Sequence, residues 1–220
     1  MEHMLEVSDI SKTLSGKRIF DKVSLSVKQG ELTAITGPSG SGKTTLLRCI
    51  IGIEQPDSGT ISLSGKTYSS FPEKERRDFR LKNIGVVDQG NRLIEDLTCR
   101  DNIRLIAEMS QGGRKTSLTT AREILRQLNM ESYENRYPSS LSGGERQRIS
   151  VGCALANRPS LIAADEPTSS LDDEAAGVVI DLFLEFAQKF QVPVVVVTHD
   201  ARVTKHVSTV YEIGGSCVSR

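Results

Sequence analysis

The sequence predicts an α/β fold with a parallel sheet at its centre, an antiparallel β part near the amino terminus and an inserted helical part. Two continuous apolar runs, Leu161–Ala164 and Val194–Val197, flank a helical pattern at 172–190. Apolar strands separated by a helix are typical of buried, parallel βαβ units. A further strand pattern at 31–36 leads through a glycine-rich turn into a helical pattern at 44–51. A chain of 220 residues suits one domain of this kind.

The amino-terminal strands show alternation. Within Leu5–Thr36, the apolar residues Val23, Leu25 and Val27 face one way and the polar residues between them face the other. This pattern predicts antiparallel strands, which Thr60–Leu63 joins after a turn.

The middle third of the chain is predicted to be largely helical. Glu73–Lys82 is rich in charge, and Gly112–Lys115 interrupts the helical pattern with a predicted flexible loop. The three helical stretches with apolar residues at the right spacing are Asp101–Met109, Leu118–Leu128 and Glu145–Ala156. We interpret residues 1–220 as a single domain, with 4–84 and 159–220 forming the core and 85–158 the helical insertion.

Composition excludes several classes of protein. Lys and Arg total 28, as do Asp and Glu, so the net charge is zero and the basic surface of a general nucleic-acid binder is not expected. The most apolar run, Val192–Val197, is far shorter than the roughly 20 residues of a membrane-spanning helix. The amino terminus shows no signal-peptide pattern, so we expect a cytoplasmic location. The four cysteines lie far apart without metal-ligand spacing, and we expect them to be reduced.

The glycine-rich turn is the first candidate site. Residues 37–45 contain the pattern G-x-x-x-x-G-K-[ST], which ends at Thr44, between a strand and a helix. Such a turn directs backbone N–H groups at an anion, while Lys43 reaches the β- and γ-phosphates and the Thr44 hydroxyl ligates Mg²⁺. The predicted nucleotide-binding residues are Gly37, Ser39, Gly40, Ser41, Gly42, Lys43, Thr44 and Thr45.

Two carboxylates, Asp165 and Glu166, follow the apolar strand Leu161–Ala164. Ligands of open α/β sheets gather at the carboxyl ends of the strands. Asp165 is placed to hold Mg²⁺ through water, and Glu166 to orient the water that attacks the γ-phosphorus. A solvated turn is the alternative when the pair is considered alone, but the phosphate loop favours hydrolysis.

The segment Leu141-Ser-Gly-Gly-Glu145 precedes a predicted helix. Ser142 and Glu145 have the spacing of a capping box, so an ordinary helix start is one interpretation. The same geometry offers Ser142 and the amides of Gly143 and Gly144 to an anion. A second phosphate-binding surface is hard to use within a chain that already has one.

With this motif the sequence closely resembles the nucleotide-binding subunits of ATP-binding cassette (ABC) transporters, whose fold is a P-loop NTPase core with an antiparallel β part and an inserted helical part. The resemblance implies ATP and Mg²⁺ as ligands and ATP hydrolysis. It also implies a head-to-tail dimer of two copies that share two ATP sites, and a separate integral membrane permease at the cytoplasmic face of the membrane. The motifs that carry it are, in order, residues 37–45, Gln89, Leu141–Glu145, Asp165–Glu166, Ser170–Asp172 and His199.

By this resemblance, Gln89 senses the metal and the attacking water and couples to the permease, Ser170–Asp172 crosses the dimer, and His199 contacts the γ-phosphate. The implied catalytic residues are Lys43, Gln89, Glu166 and His199. The implied metal ligands are Thr44, Gln89 and Asp165. The implied contacts to ATP held by the opposite copy are Ser142, Gly143, Gly144, Glu145 and Asp172.

The stretches 91–98, 155–159 and 164–168 resemble the macrolide-export and lipoprotein-release group of these subunits, which implies an export or extrusion system. A mechanical signalling ATPase with a membrane partner, of the cell-division type, is the alternative that the sequence leaves open. Soluble ABC ATPases of translation, DNA repair or iron–sulfur assembly usually have tandem cassettes or long insertions, for which 220 residues leave no space.

Three positions depart from the family pattern. Leu14 stands where the family usually has an aromatic residue that stacks on adenine, and Phe20 is the nearest aromatic. Asp88 stands where an aromatic is common and Cys153 where arginine is frequent; nothing in the sequence explains either change.

Overall fold

The computed structural model describes residues 3–90, 92–111, 114–214 and 217–219. The predicted loop at Gly112–Lys115 and the thiol of Cys217 fall at least partly outside the described residues. The strands are β1 (His3–Leu14), β2 (Lys17–Lys28), β3 (Leu32–Thr36), β4 (Ser58–Leu63), β5 (Lys66–Thr67), β6 (Ile84–Val87), β7 (Leu161–Asp165), β8 (Val194–Val197), β9 (Thr209–Gly214) and β10 (Cys217–Ser219). The α-helices are α1 (Lys43–Ile50), α2 (Glu73–Asn83), α3 (Cys99–Gln111), α4 (Arg114–Gln127), α5 (Gly143–Leu155), α6 (Asp173–Phe190) and α7 (Ala201–Thr204), and short 3₁₀ helices span Glu131–Tyr133 and Pro138–Ser140.

A six-stranded sheet forms the centre of the molecule, in the order β10-β9-β3-β8-β7-β6. Its strands pair in parallel except for β10, which is antiparallel to β9. The inner strands are buried on both faces, as their continuous apolar sequences require. The predicted α/β fold is therefore confirmed.

One strand prediction was wrong. Residues 32–36 were grouped with the antiparallel strands, but β3 pairs in parallel with β8 and β9. The reason is burial: Leu32, Thr33, Ala34 and Ile35 are all buried, and of the two sheets the central one has both faces covered.

The antiparallel sheet has the order β2-β1-β4-β5. Its inner face, which includes Leu5, Phe20 and Ile61, packs in one core cluster with Leu46 and Ile50 of α1. Helix α1 is therefore held between the two sheets, and the turn that precedes it is fixed from both sides.

The helical part consists mainly of α3, α4 and α5, whose apolar faces share a core with one face of the central sheet. The predicted start of this part at residue 85 cuts through β6, which pairs with β7 in the sheet. Gly85 explains why β6 stays there, since a Cβ at this position would lie 2.1 Å from the Ala154 carbonyl oxygen of α5. The strand and the helix meet at a distance that a larger residue would prevent.

The parallel strands place the motifs together. The carboxyl ends of β3, β6, β7 and β8 lie along one edge of the sheet, and each is followed by one of the predicted site segments. Among the described residues, no helix has the length and apolar character needed to cross a membrane.

Candidate active site

The turn between β3 and α1 owes its shape to two glycines. Gly37 has φ +145°, and a Cβ there would lie 2.4 Å from the Ile213 carbonyl oxygen. Gly42 has φ +95°, and a Cβ there would lie 2.6 Å from Cγ2 of Ile19. Any larger residue would displace β9 or β2, so the loop can wrap closely around a ligand only with glycine at these positions.

The amino terminus of α1 is prepared for an anion. Among the described residues no side chain caps this helix at Gly42, so its first N–H groups point into the loop. The Lys43 ammonium donates to the carbonyl oxygens of Gly37 at 2.8 Å and Pro38 at 2.9 Å. The positive charge is therefore held at the mouth of the loop, where phosphate oxygens can replace these two acceptors.

Asp165 ends β7 beside Thr44. Burial raises the pKa of Asp165, and a hydrogen bond with the Thr44 side chain opposes this rise. Its Oδ1 atom is buried and has no hydrogen-bond partner among the described residues. A buried carboxylate oxygen without a donor, next to a hydroxyl, is the oxygen-rich environment that Mg²⁺ prefers. The residues present therefore fit the predicted metal site.

Glu166 is held tightly by the loop that follows β8. Its Oε2 accepts a hydrogen bond from the Thr198 hydroxyl at 2.9 Å, and its Oε1 lies 2.7 Å from Nδ1 of His199. Glu166 has φ +47°, a conformation that is uncommon for a residue with a side chain and is often found at functional sites. The parallel pairing of β7 with β8 brings Glu166 and His199 together, since Asp165 is paired with Val197 and both strands end at this level.

A cleft of about 700 Å³ lies at this edge of the sheet, and Asp165 adjoins its residues Thr44 and Glu166 without being one of the lining residues itself. Its walls include the predicted residues Lys43, Thr44, Gln89, Glu166 and His199. The other predicted phosphate-loop residues on its walls are Gly37, Ser39, Gly40, Gly42 and Thr45. The Ser41 hydroxyl is instead buried beneath the loop, without a hydrogen-bond partner among the described residues.

The predicted residues of the signature segment and of Ser170–Asp172 line a second depression, of about 500 Å³. We call it the signature surface; it is lined by Ser142–Glu145 and Ser170–Asp172, together with residues of the first two turns of α5 and α6. Its lining shares no residue with the nucleotide cleft. One chain thus carries two separate concave surfaces, each with helix amino termini facing it.

Glu145 is engaged within its own chain. Ser142 and Glu145 form the predicted capping box, in which Glu145 Oε2 accepts from the Ser142 N–H at 2.7 Å. Its Oε1 accepts from the Tyr133 hydroxyl at 2.6 Å, and this bond, with that from Ser142, holds the pKa of Glu145 below its usual range. Its implied contact with ATP stays a prediction, but the structure gives it a local role.

Three residues near these surfaces belong to no motif that sequence reasoning could recognise. They are Ile19, on the cleft wall, Tyr133, bonded to Glu145, and Arg202, which contacts the segment 168–173. Phe20, the aromatic nearest in sequence to Leu14, is inaccessible. Ile19, in contrast, presents an aliphatic surface beside the loop. Nothing in the structure explains why Asp88 and Cys153 depart from the family pattern.

Comparison with known proteins decides the family. The profile described as ABC transporter matches residues 20–169, which contain the phosphate loop, Gln89, the signature segment and the acidic pair. The chain belongs to the ABC transporter family. Its predicted activity as an ATPase, and its assignment as the ATP-binding subunit of an ABC transporter, are confirmed by this membership.

Similar members cover nearly the whole chain. The lipoprotein-releasing system ATP-binding protein LolD of Buchnera aphidicola is 38% identical over 196 residues, which is 89% of this chain and 86% of that protein. LolD of Bacteroides fragilis is 35% identical over 216 residues, covering 98% of this chain and 100% of that protein. These two relatives belong to the group that the sequence resembles.

Among solved ABC structures, the cassette MJ0796 has the same fold. Its dimeric form is 31% identical with a TM-score of 0.88, covering 99% of this chain and 97% of that chain. Its dimeric post-hydrolysis form, bound to ADP and Pi, has a TM-score of 0.87 at 30% identity, with the same coverage.

Proposed function

We propose that this ABC ATPase acts as a pair of copies that close over two ATP molecules and thereby drive a separate membrane permease. The observation that carries the proposal is the presence of two distinct concave surfaces on one chain. In a head-to-tail pair, the signature surface of one copy covers the ATP held in the nucleotide cleft of the other. The dimeric state of MJ0796 supports this arrangement.

The residues of the nucleotide cleft divide the work of hydrolysis. Lys43 leaves the carbonyls of Gly37 and Pro38 for the β- and γ-phosphate oxygens, so its ammonium exchanges neutral hydrogen-bond acceptors for charged ones. Thr44, Gln89 and Asp165, the last through water, would hold Mg²⁺, which when bound stabilises negative charge on the phosphate oxygens.

Glu166 orients the attacking water. Thr198 and His199 contact both carboxylate oxygens of Glu166, so these two residues determine the direction of the carboxylate. The exposed ring of His199 extends from Glu166 into the cleft, where it can donate to the γ-phosphate. The γ-phosphate thus lies between Lys43 on one side and the Glu166–His199 pair on the other.

We propose that the partner is an integral membrane permease of the extrusion type, and that the chain works at the cytoplasmic face of the membrane. The support is the likeness to LolD proteins, whose names describe lipoprotein release. Co-purification of the chain with its permease, followed by ATPase assays in the presence of candidate lipoproteins, tests this step. Stimulation by macrolides and not by lipoproteins would indicate an extrusion system of the macrolide-export kind, whereas a complex whose ATPase responds to neither would contradict the extrusion type.

The experiment that tests the hydrolytic role is Glu166→Gln. We expect this variant to bind ATP and to form dimers in gel filtration, while ATP turnover falls by about a hundredfold or more, because an amide does not accept a proton from water. Glu185→Gln is the matched control. Glu185 is an exposed residue of α6 that forms an ion pair with Lys189, one helical turn away. Turnover at the wild-type rate in Glu166→Gln would show that Glu166 lacks the proposed role.

A further inference from the structure

Arg202 makes an unusual set of contacts for a residue in a helix as short as α7. Its Nε lies 3.0 Å from both carboxylate oxygens of Asp200, and its Nη2 lies 2.8 Å from Oδ2 of the same residue. The backbone N–H of Arg202 also donates to Asp200, which caps α7. That backbone bond alone provides the amino-terminal cap, so the guanidinium is not needed to start the helix.

The rest of the guanidinium reaches a different segment. Nη2 donates to the Thr168 carbonyl oxygen at 3.1 Å, and Nη1 donates to the Leu171 carbonyl oxygen at 3.2 Å and to Asp173 at 2.8 Å. Leu171 lies in the middle of Ser170–Asp172, the loop that faces the signature surface. Arg202 therefore connects the loop after β8 with the loop after β7.

A continuous set of hydrogen bonds leads from this junction to the nucleotide cleft. The Thr168 hydroxyl donates to Asp200 at 2.6 Å, and the Asp200 N–H donates to the Thr198 hydroxyl at 2.9 Å. The Thr198 hydroxyl in turn donates to Glu166, which holds His199. Every step joins described atoms at ordinary hydrogen-bond distance.

The inner members of this network are shielded from water, whereas the Arg202 side chain at its outer end is 31% exposed. Thr168 and Thr198 are inaccessible, and the Asp200 side chain is 10% exposed. Hydrogen bonding from Arg202 lowers the pKa of Asp200 to about 2, so Asp200 is ionised under all working conditions. A planar guanidinium bonded to a fixed carboxylate on one edge and to two backbone carbonyls on the other has few alternative positions.

We infer that Arg202 is a positioning residue that couples the Ser170–Asp172 loop to the Glu166–His199 pair, so that contact with a second copy sets the geometry for hydrolysis. This inference rests on the proposed dimer. When the partner fixes the loop, the Leu171 carbonyl holds Arg202, Arg202 holds Asp200, and Thr198 then fixes the carboxylate of Glu166. Without Arg202 the loop still forms, but its position no longer determines that of Glu166.

The test compares Arg202→Ala and Arg202→Lys with the wild type in the complete chain. We expect kcat for ATP to fall by about tenfold or more in both, because small displacements of a catalytic group reduce rates strongly. Binding of an ATP analogue to the monomer should change by less than about twofold, since Arg202 lies outside the nucleotide cleft. Lysine keeps the charge but cannot bond to Asp200 and both carbonyls at once.

Two controls separate positioning from a purely structural role. Arg100→Ala removes another arginine paired with two carboxylates, Asp101 and Glu134, far along the chain from these loops. Asp173→Asn removes only the ion pair between Arg202 and Asp173, whose side chain is 95% exposed. We expect both to keep kcat within about twofold of the wild type.

The outcomes are distinct. If Arg202→Ala does not fold, Arg202→Lys decides, with Tm reporting its stability. A lowered Tm with an unchanged kcat in Arg202→Lys would overturn the inference and leave a structural role. If Glu166→Gln is inactive while both Arg202 variants hydrolyse ATP at the wild-type rate, the coupling fails and the proposed function stands. If Glu166→Gln is itself fully active, the proposed function fails first.

Discussion

The nucleotide cleft and the signature surface are built in opposite ways. Next to the cleft, Asp165 Oδ1 and the Ser41 hydroxyl are buried without hydrogen-bond partners among the described residues, and the hydrogen bonds of the Lys43 ammonium go to two carbonyl oxygens of the loop. At the signature surface, Ser142, Glu145 and Tyr133 satisfy one another. The polar side chains at the cleft therefore lack partners that a ligand could supply, whereas those at the signature surface are already hydrogen-bonded to one another.

This difference indicates what each surface contributes. Polar groups left unpaired in a buried position reduce stability, and a ligand that pairs them recovers that free energy as affinity. The signature surface has little to recover, so it offers shape and backbone amides at the amino terminus of α5. Mutations should accordingly affect ligand binding at the cleft and stability at the signature surface.

The largest expected effect is the loss of ATP binding in Lys43→Ala. A hydrogen bond to a charged group is worth about 1.5–3 kcal/mol, and Lys43 is placed to reach two phosphates, so Kd should rise by about a hundredfold or more. Titration with a fluorescent ATP analogue measures this change. Lys189→Ala, an exposed lysine on α6, should bind as the wild type does. Retained affinity in Lys43→Ala would mean that the cleft does not hold the phosphates.

The second prediction uses two adjacent glycines of the signature surface. A Cβ on Gly144 would lie 2.9 Å from the Ala175 Cβ, whereas one on Gly143 would lie 3.7 Å from Leu171 Cδ2. Forcing α5 away from α6 should lower the free energy of unfolding of Gly144→Ala by about 1–3 kcal/mol. At about 2–4 °C per kcal/mol, thermal denaturation resolves this difference.

Gly143→Ala is the matched variant, and its Tm should stay near that of the wild type because its new methyl group makes an ordinary contact. Both variants should bind ATP as monomers with unchanged affinity. Equal destabilisation of the two variants would show that the close approach of α5 to α6 at Gly144 does not determine the loss of stability.

The local parts of both surfaces could be predicted from sequence. The phosphate loop and the acidic pair follow from a strand, a turn and a helix within a few residues, and Ser142 and Glu145 from one helical turn. The Tyr133–Glu145 and Arg202–Leu171 contacts could not, because they join segments whose proximity depends on the packed fold. The pairing of β3 could not be predicted for the same reason, because its partners β8 and β9 lie more than 150 residues further along the chain.

The third prediction concerns the cap of the signature helix. Ser142→Ala removes the hydroxyl that accepts from the Glu145 N–H at 3.3 Å, and loss of a helix amino-terminal cap costs about 1 kcal/mol. The free energy of unfolding in urea should fall by that amount. Ser140→Ala, whose exposed hydroxyl donates to the Tyr137 carbonyl, should have a smaller effect. An unchanged midpoint in Ser142→Ala would show that Glu145 and Tyr133 maintain the cap alone.

The smallest expected effect has the opposite sign. Because burial raises the pKa of Asp165 in the folded chain, the folded state binds this proton more tightly than the unfolded state, and stability is lost as pH rises through the raised pKa. Asp165→Asn removes the buried charge, so without nucleotide its Tm at neutral pH should exceed that of the wild type by a few degrees at most. The difference in Tm between the variant and the wild type should narrow as pH is lowered, because the wild-type carboxyl then becomes neutral.

ATP turnover of Asp165→Asn should nevertheless fall, since an amide is a poorer ligand for Mg²⁺ than a carboxylate. A lower Tm for the variant would show that Asp165 stabilises the empty cleft, and the contrast between the two surfaces would not hold at this residue.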